Sequence, residues 1–303
     1  MSDVAEVAGV SDASEVADMA EVAGAAEVAG VADVPDVAES SDVPDVAESS
    51  DVPAAACGLR HVEHAMGTVF SIDLRDPVTP AVHRALKDAV AWLHHVDEVF
   101  STYRPDSAIS CLGRGEPVPE RYGAEVAEVF ALCEEAARTT GGWFSHTPGG
   151  RLDPSGMVKG WAVERVSRLL YAAGAHNTCV NGGGDIQLRG EAAPGTPWRI
   201  GIAHPARPGE LAAVVTGRDL AVATSGTAER GAHVLDPHTG RPATGLLSLT
   251  LTGRHLTRTD AYATAAFAMG AGARAWAEAL DGHEALGVTP SGEIWHTPGF
   301  PVA

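Results

Sequence analysis

The first 56 residues contain no Lys, Arg or His, no aromatic residue and neither Leu nor Ile. A segment without those side chains can bury little apolar surface to offset the entropy of ordering its backbone. Fourteen of the forty acidic residues lie there, leaving twenty-six acids against twenty-one Lys and Arg in the remainder. Most of the formal net charge of −19 therefore belongs to this segment, and the rest of the chain is only mildly acidic. The unit DVPDVAESS fills 33–41 and again 42–50, then restarts at Asp51. We read 1–56 as a disordered acidic tail, with a marginal helix over about 3–30 as the alternative that its Ala and Glu content allows.

Other absences narrow the function. No run approaches the ~18 consecutive apolar residues of a membrane helix, and the N-terminus has neither the basic nor the apolar region of a signal peptide. The stretch Ala54-Ala55-Ala56-Cys57 lacks the apolar run that would precede a lipoprotein cleavage site. Cys57, Cys111, Cys133 and Cys179 are widely spaced, with no CxxC and no Cys/His metal spacing. We expect reduced thiols in a cytoplasmic protein, with Cys133 and Cys179 buried. A basic excess is missing too, which argues against a nucleic-acid partner. An anionic small ligand stays open, because backbone N–H groups can bind phosphate without net positive charge.

What remains, residues 57–303, suffices for one large domain or two intimately packed halves. The pattern predicts a strand pair over 60–74 interrupted by Met66-Gly67-Thr68. Helices are predicted over 79–99, starting at Thr79-Pro80, over about 121–140 and over about 156–173, with a loop over 100–116. Short β-like runs follow at 177–189, 197–203, 212–216, 220–225, 232–235 and 246–252, then a helix over about 259–280 and a strand-turn-strand over about 285–298. Helices and strand clusters arranged this way indicate α+β rather than a regular βαβ series.

Five groups of residues have chemical potential. Asp260 and Thr264 are four apart in an Ala-rich helical pattern, on one face. Such an oxygen pair is a half-site for Mg²⁺, which usually completes its shell with phosphate and water; the alternative is that Asp260 caps the helix and Thr264 packs. Lys159-Gly160 falls near a helix N-terminus, where free N–H groups, the dipole and a point charge favour an anion; otherwise Lys159 is simply solvated. Asn181-Gly182-Gly183-Gly184-Asp185 places three costly glycines among strands, where a ligand or another backbone approaches or a plain turn forms. The stretch 224–240 combines hydroxyls, a charge pair and His233, a candidate acid/base or phosphate contact or a structural hydrogen-bonder. Met66-Gly67-Thr68 and the 100–107 stretch, with Ser101 and Tyr103, supply loops suited to walling a planar ligand.

In order, MGT at 66–68, FSTYRPDSAIS at 100–110, VKGWAVER at 158–165, NGGGDIQLRG at 181–190, TSGTAERGAHVLDPHTG at 224–240 and TDAYATAAFAMG at 259–270 resemble the FAD:protein FMN transferase (ApbE) family. The resemblance covers about 61–297 and implies two packed α/β halves with the ligand site between them. It also implies Mg²⁺-dependent transfer of FMN from FAD to a Thr or Ser of an acceptor protein, with release of AMP. Carried over, Asp260, Thr264 and the main-chain carbonyl of Val158 would hold the metal. Met66, Gly67, Thr68, Ser101, Tyr103, Lys159, Gly182, Gly183, Ser225 and Gly226 would line the FAD site. His233 would lie near the pyrophosphate; it is the candidate base for the acceptor hydroxyl, with a metal-bound arrangement lacking a dedicated base as the alternative. The chain departs from the family pattern at Gly113, where an Asn is usual, at Ala228, where a Tyr is usual, and at Glu164, where an Asp is usual. The segment between Gly142 and Asp153 is short, with Phe144-Ser145-His146 replacing Phe-Asp-Pro. These departures keep two alternatives in view, hydrolysis of FAD to FMN and AMP and a non-catalytic FAD-binding module.

Overall fold

The computed structural model describes residues 57–303 apart from Glu229, Arg230 and Ala232. The acidic tail expected over 1–56 lies outside the described residues. In chain order the elements begin with β1 (Cys57–Ala65), β2 (Thr68–Pro77), α1 (Pro80–Phe100), α2 (Ala108–Gly113), α3 (Glu120–Thr139) and α4 (Ser155–Ala172). They continue with β3 (Thr178–Gly182), β4 (Asp185–Arg189), β5 (Trp198–Ala203), β6 (Leu211–Gly217), β7 (Ala221–Gly226) and β8 (Ser248–Gly253). Last come α5 (Leu256–Met269), α6 (Ala273–Glu278), β9 (Glu284–Val288) and β10 (Ile294–His296).

Eight strands form one antiparallel sheet in the order β1-β2-β3-β4-β7-β8-β9-β10. Alternation in β2 puts Phe70, Ile72 and Leu74 on the buried face. Helices α1, α4 and α5 share the main apolar core with that face. The opposite face of β4, β7 and β9 is covered by the β5–β6 hairpin and Phe300, through Trp198, Ile202 and Val215 on Ile186, Leu188, Val222 and Leu286. The fold is α+β, as expected. Its two halves meet where β4 pairs with β7 through Ile186↔Val222 and Gln187↔Ala221, beside a bond from Leu188 N to the Leu220 carbonyl.

Local sequence explains most elements. Thr79 caps α1 by accepting the N–H of Val82, and Pro80 opens the helix. Helix α4 is buried on most sides because it lies between α1, α5 and the sheet. The expected loop over 100–116 contains α2, whose first turn is capped by Ser107 Oγ accepting from Ser110 N at 3.0 Å. Among the described residues the strand expected over 232–235 is only an isolated bridge, Leu235↔Pro242. Of the cysteines, Cys133 is buried and Cys179 only half-buried. Burial pushes both thiols up to about 12, so they stay protonated and unreactive. No helix among the described residues is long and apolar enough to cross a membrane.

The helix expected over 259–280 starts three residues earlier and breaks at Gly270, where φ is 56°. Its early start comes from distant residues. Gln187 Oε1 accepts the N–H of Leu256 at 3.0 Å, and Glu164 Oε2 accepts the N–H of Thr257 at 3.0 Å and its hydroxyl at 2.6 Å. A carboxylate from α4 thus does the work of an N-cap for α5. Removing it in Glu164→Ala leaves buried donors unmet and is expected to cost about 2–3 kcal/mol in chemical denaturation. Burial pushes the Glu164 carboxyl up, but Thr257 and His255 outweigh it and hold it below its ordinary 4.5. Its contribution is therefore complete above pH 4.5 and is lost as pH falls through the lowered folded value. The melting-temperature gap between wild type and Glu164→Gln should shrink below that pH.

Candidate active site at the seam of the sheet

The β4–β7 seam, α4 and α5 bring together residues that are far apart in sequence. Helices α4 and α5 cross at Gly160, where a Cβ would sit 2.7 Å from both Asp260 Cβ and the Leu256 carbonyl oxygen. The missing side chain lets the Gly160 N–H donate to Asp260 Oδ2 at 2.9 Å. Lys159 Nζ lies 2.5 Å from Asp185 Oδ2, at the start of β4. Asp185 Oδ1 accepts the N–H of Thr224 on β7 at 3.1 Å. Farther along α5, the Thr264 and Ser225 hydroxyl oxygens are 3.5 Å apart. Asp260 therefore lies inside α5, not at its N-cap, and its side chain faces α4.

The electrostatics are unbalanced. Asp260 is 4% and Asp185 1% exposed. Burial, and then the charge of Asp185, push the Asp260 carboxyl well above its ordinary value, while Lys159 and the Gly160 N–H oppose this only in part. Lys159 brings its charge to two buried carboxylates, paired with Asp185 and acting on Asp260, an arrangement that a proton or a further cation relieves. Among the described residues no group of three or more His, Cys, Asp or Glu could hold a metal. Two carboxylates with nearby hydroxyls are nevertheless a hard-oxygen donor set. They fit a small cation that keeps water or substrate phosphate in its shell, as Mg²⁺ does.

Val158, whose main-chain carbonyl is the expected third metal ligand, is buried within α4. Gly156 is the residue that meets Thr264, since a Cβ there would lie 3.4 Å from Thr264 Oγ1. The N–H of Gly160, the regular helical partner of the Gly156 carbonyl, is directed at Asp260.

The remaining expected residues fall into three places. Met66 and Gly67 turn β1 into β2 with positive φ, and Gly183, also at positive φ, abuts Thr68: a Cβ there would be 2.4 Å from Thr68 Oγ1. Strand register puts these turns at the same sheet end as Ser225 and Gly226. Gly182 makes room for Phe70 and Val163, at 2.6 and 2.8 Å from a hypothetical Cβ, so its lack of a side chain is explained by packing. Ser101 follows α1, and Tyr103 is 93% exposed at the mouth of a cleft of about 530 Å³ between α2 and residues 150–152. Gly113 also lines this cleft. His233 is exposed, and its Nδ1 lies 3.1 Å from the Gly231 carbonyl, an arrangement that leaves Nε2 outward as the acceptor. Among the described residues, neither His233 nor Tyr103 is hydrogen-bonded to Asp185 or Asp260. The loop beyond is anchored by His238, whose ring stands edge-on to Trp143 at 4.6 Å. Asp185 and Gly156 went unassigned in the sequence; the one available signal was the carboxylate directly after the glycine triplet.

A model of the ApbE family matches residues 66–150 and 145–286. Among curated relatives, the FAD:protein FMN transferase of Rhodobacter capsulatus is 29% identical over 219 residues, which are 69% of this chain and 39% of that one. The protein of the same name from Vibrio cholerae serotype O1 is 34% identical over 129 residues, 39% of each chain. The chain thus spans about two-fifths of the length of these curated relatives. Solved structures share its fold. The flavin transferase ApbE from Vibrio cholerae matches with a TM-score of 0.69 at 24% identity, over 80% of this chain and 98% of that one. The ApbE protein from Thermotoga maritima matches with a TM-score of 0.68 at 22% identity, over 80% and 97%.

Proposed function

Because the chain belongs to the ApbE family, we propose that it transfers FMN from FAD to a Ser or Thr hydroxyl of an acceptor protein, with Mg²⁺, and releases AMP. The observation that carries this reading is the convergence of Lys159, Asp185, Asp260, Thr264 and Ser225 on the seam between the two half-sheets. The acceptor oxygen forms a bond to the phosphorus of the FMN half, the pyrophosphate P–O bond breaks, and AMP leaves with that oxygen. The acceptor's proton passes to a base, for which His233 Nε2 is the candidate. Lys159 supplies positive charge to the phosphates. Mg²⁺ held by Asp260, Thr264 and the main-chain carbonyl of Val158 would withdraw charge from phosphate oxygens. Met66, Gly67, Thr68, Ser101 and Tyr103 would bound the FAD. Its free thiols suit the reducing cytoplasm, which we assign as its location.

Incubation with FAD and MgCl2, with and without hydroxyl-bearing acceptor proteins, tests this reading. AMP together with an acceptor heavier by one FMN supports transfer. Free FMN without an acceptor supports FAD hydrolysis, and bound FAD with no AMP in any condition supports a binding module. The exposed position of His233 and the open cleft at Gly113 favour examining both alternatives. Gly113 has room for a side chain, since a Cβ there would meet only Leu152 Cβ at 3.9 Å. Gly113→Asn is expected to change stability by less than about 0.5 kcal/mol and to tighten FAD binding, read by flavin fluorescence titration.

A further inference from the structure

We propose that Asp185 is the positioning residue of this site, holding Lys159 in place for the phosphates while linking the two halves of the fold; the proposal rests on the transfer reading. Asp185 is almost fully buried at the first residue of β4, directly after the glycine turn. One carboxylate oxygen takes the Thr224 N–H of β7 at 3.1 Å. The other lies 2.5 Å from Lys159 Nζ, and the Asp185 side chain is also within hydrogen-bond reach of the Asp260 carboxyl. Its charge also acts on Asp260 of α5. A single side chain therefore engages β7, α4 and α5 from β4, at the short seam where β4 pairs with β7.

This arrangement controls the reach of Lys159. A lysine stem is flexible, with a strongly hydrated head, and left free its ammonium would sample many positions. Held by a buried carboxylate, it presents its charge to incoming phosphates from one direction, at the cost of part of its attraction for them. Binding is weakened and alignment gained, which favours the reaction over the resting complex.

The test is a double-mutant cycle on the full chain with D185N, K159M and the double variant. The asparagine side chain still accepts the Thr224 N–H but no longer holds the ammonium. D185N is expected to lower kcat by roughly tenfold or more, while its metal-free affinity for FAD, read by flavin fluorescence, tightens by roughly threefold. In the K159M background D185N should cost nothing further in kcat. The cycle is read a second time by melting temperature: K159M leaves two buried carboxylates without their cation and melts lower, and adding D185N restores part of that loss. Costs that multiply in kcat and add in melting temperature would overturn the proposal, as would FAD binding that weakens in step with kcat. If the wild-type chain releases no AMP with any acceptor, the transfer reading fails. Metal-free affinity then decides the positioning role alone, where tightening in D185N upholds it and unchanged or weaker binding refutes it.

Discussion

Asp260→Asn is expected to reduce AMP release by about a thousandfold or more while the melting temperature stays level or rises. The two effects share one cause. Burial and the neighbouring Asp185 push the Asp260 carboxyl well above its ordinary 3.8, so the charged form is unfavourable in the fold. A group whose folded pKa is raised contributes stability that is fully present below the unfolded value and is lost as pH rises through the folded value. Above the unfolded value the carboxyl therefore burdens the metal-free protein, through its buried charge or through the proton that it must take up. An amide removes that burden and still accepts the Gly160 N–H that Asp260 Oδ2 takes at 2.9 Å. Asp260→Ala differs, because it strands that buried donor and should cost about 1–3 kcal/mol. The same logic gives a readout independent of turnover. MgCl2 should raise the wild-type melting point, by the equivalent of about 2.7 kcal/mol at a hundred times the dissociation constant, and leave Asp260→Asn unmoved. Turnover in Asp260→Asn with an unchanged Mg²⁺ requirement would refute the metal assignment.

Short-range signals were legible in the sequence. Thr79-Pro80 marks the start of α1, and the buried positions Val82, Leu86, Leu93 and Val96 follow a helical period. Alternation identifies β2, and the ordered motifs place Lys159, Asp260 and Thr264 in one site, where the structure has them on facing helices. Long-range satisfaction of polar groups was not legible. The start of α5 depends on Glu164 and Gln187, 93 and 69 residues away from the donors they meet, so no local cap announces it. Asp185 belongs to the site through Lys159 and Thr224, contacts that exist only once β4, β7 and α4 have assembled. The glycine triplet read as a close approach by a ligand or another backbone or as a plain turn; at Gly182 a Cβ would meet the Phe70 and Val163 side chains, and a missing side chain reads alike in sequence whichever neighbour uses the space. His233 was grouped with the site by motif order, and the structure leaves it on an exposed loop.

Gly160→Ala sets two effects of opposite sign against each other at the helix crossing. Inside a helix, alanine is favoured over glycine by about 1 kcal/mol, and on that ground alone the variant would be more stable. The added Cβ, however, would sit 2.7 Å from Asp260 Cβ and 2.7 Å from the Leu256 carbonyl oxygen. The second of these is backbone in the first turn of α5 and cannot rotate aside, so α4 and α5 must separate. Overpacking of this kind costs about 1–3 kcal/mol and more where backbone has to move, which exceeds the propensity gain, and net destabilisation of roughly 1–3 kcal/mol follows. Separation also carries Asp260 away from Lys159 and Asp185, and a displacement of about 1 Å at such a site is worth about a hundredfold in kcat. Gly156→Ala, on the same helix, is the control. Its Cβ would meet the Thr264 hydroxyl and the Phe144 ring at 3.4 Å, side-chain atoms able to shift by the little required. The ratio of the two stability losses, measured by urea denaturation, thus separates a crossing fixed by backbone contact from one that glycine merely tolerates. If Gly160→Ala is as stable as Gly156→Ala and keeps its turnover, the close approach of α4 and α5 is not what holds the carboxylates in place.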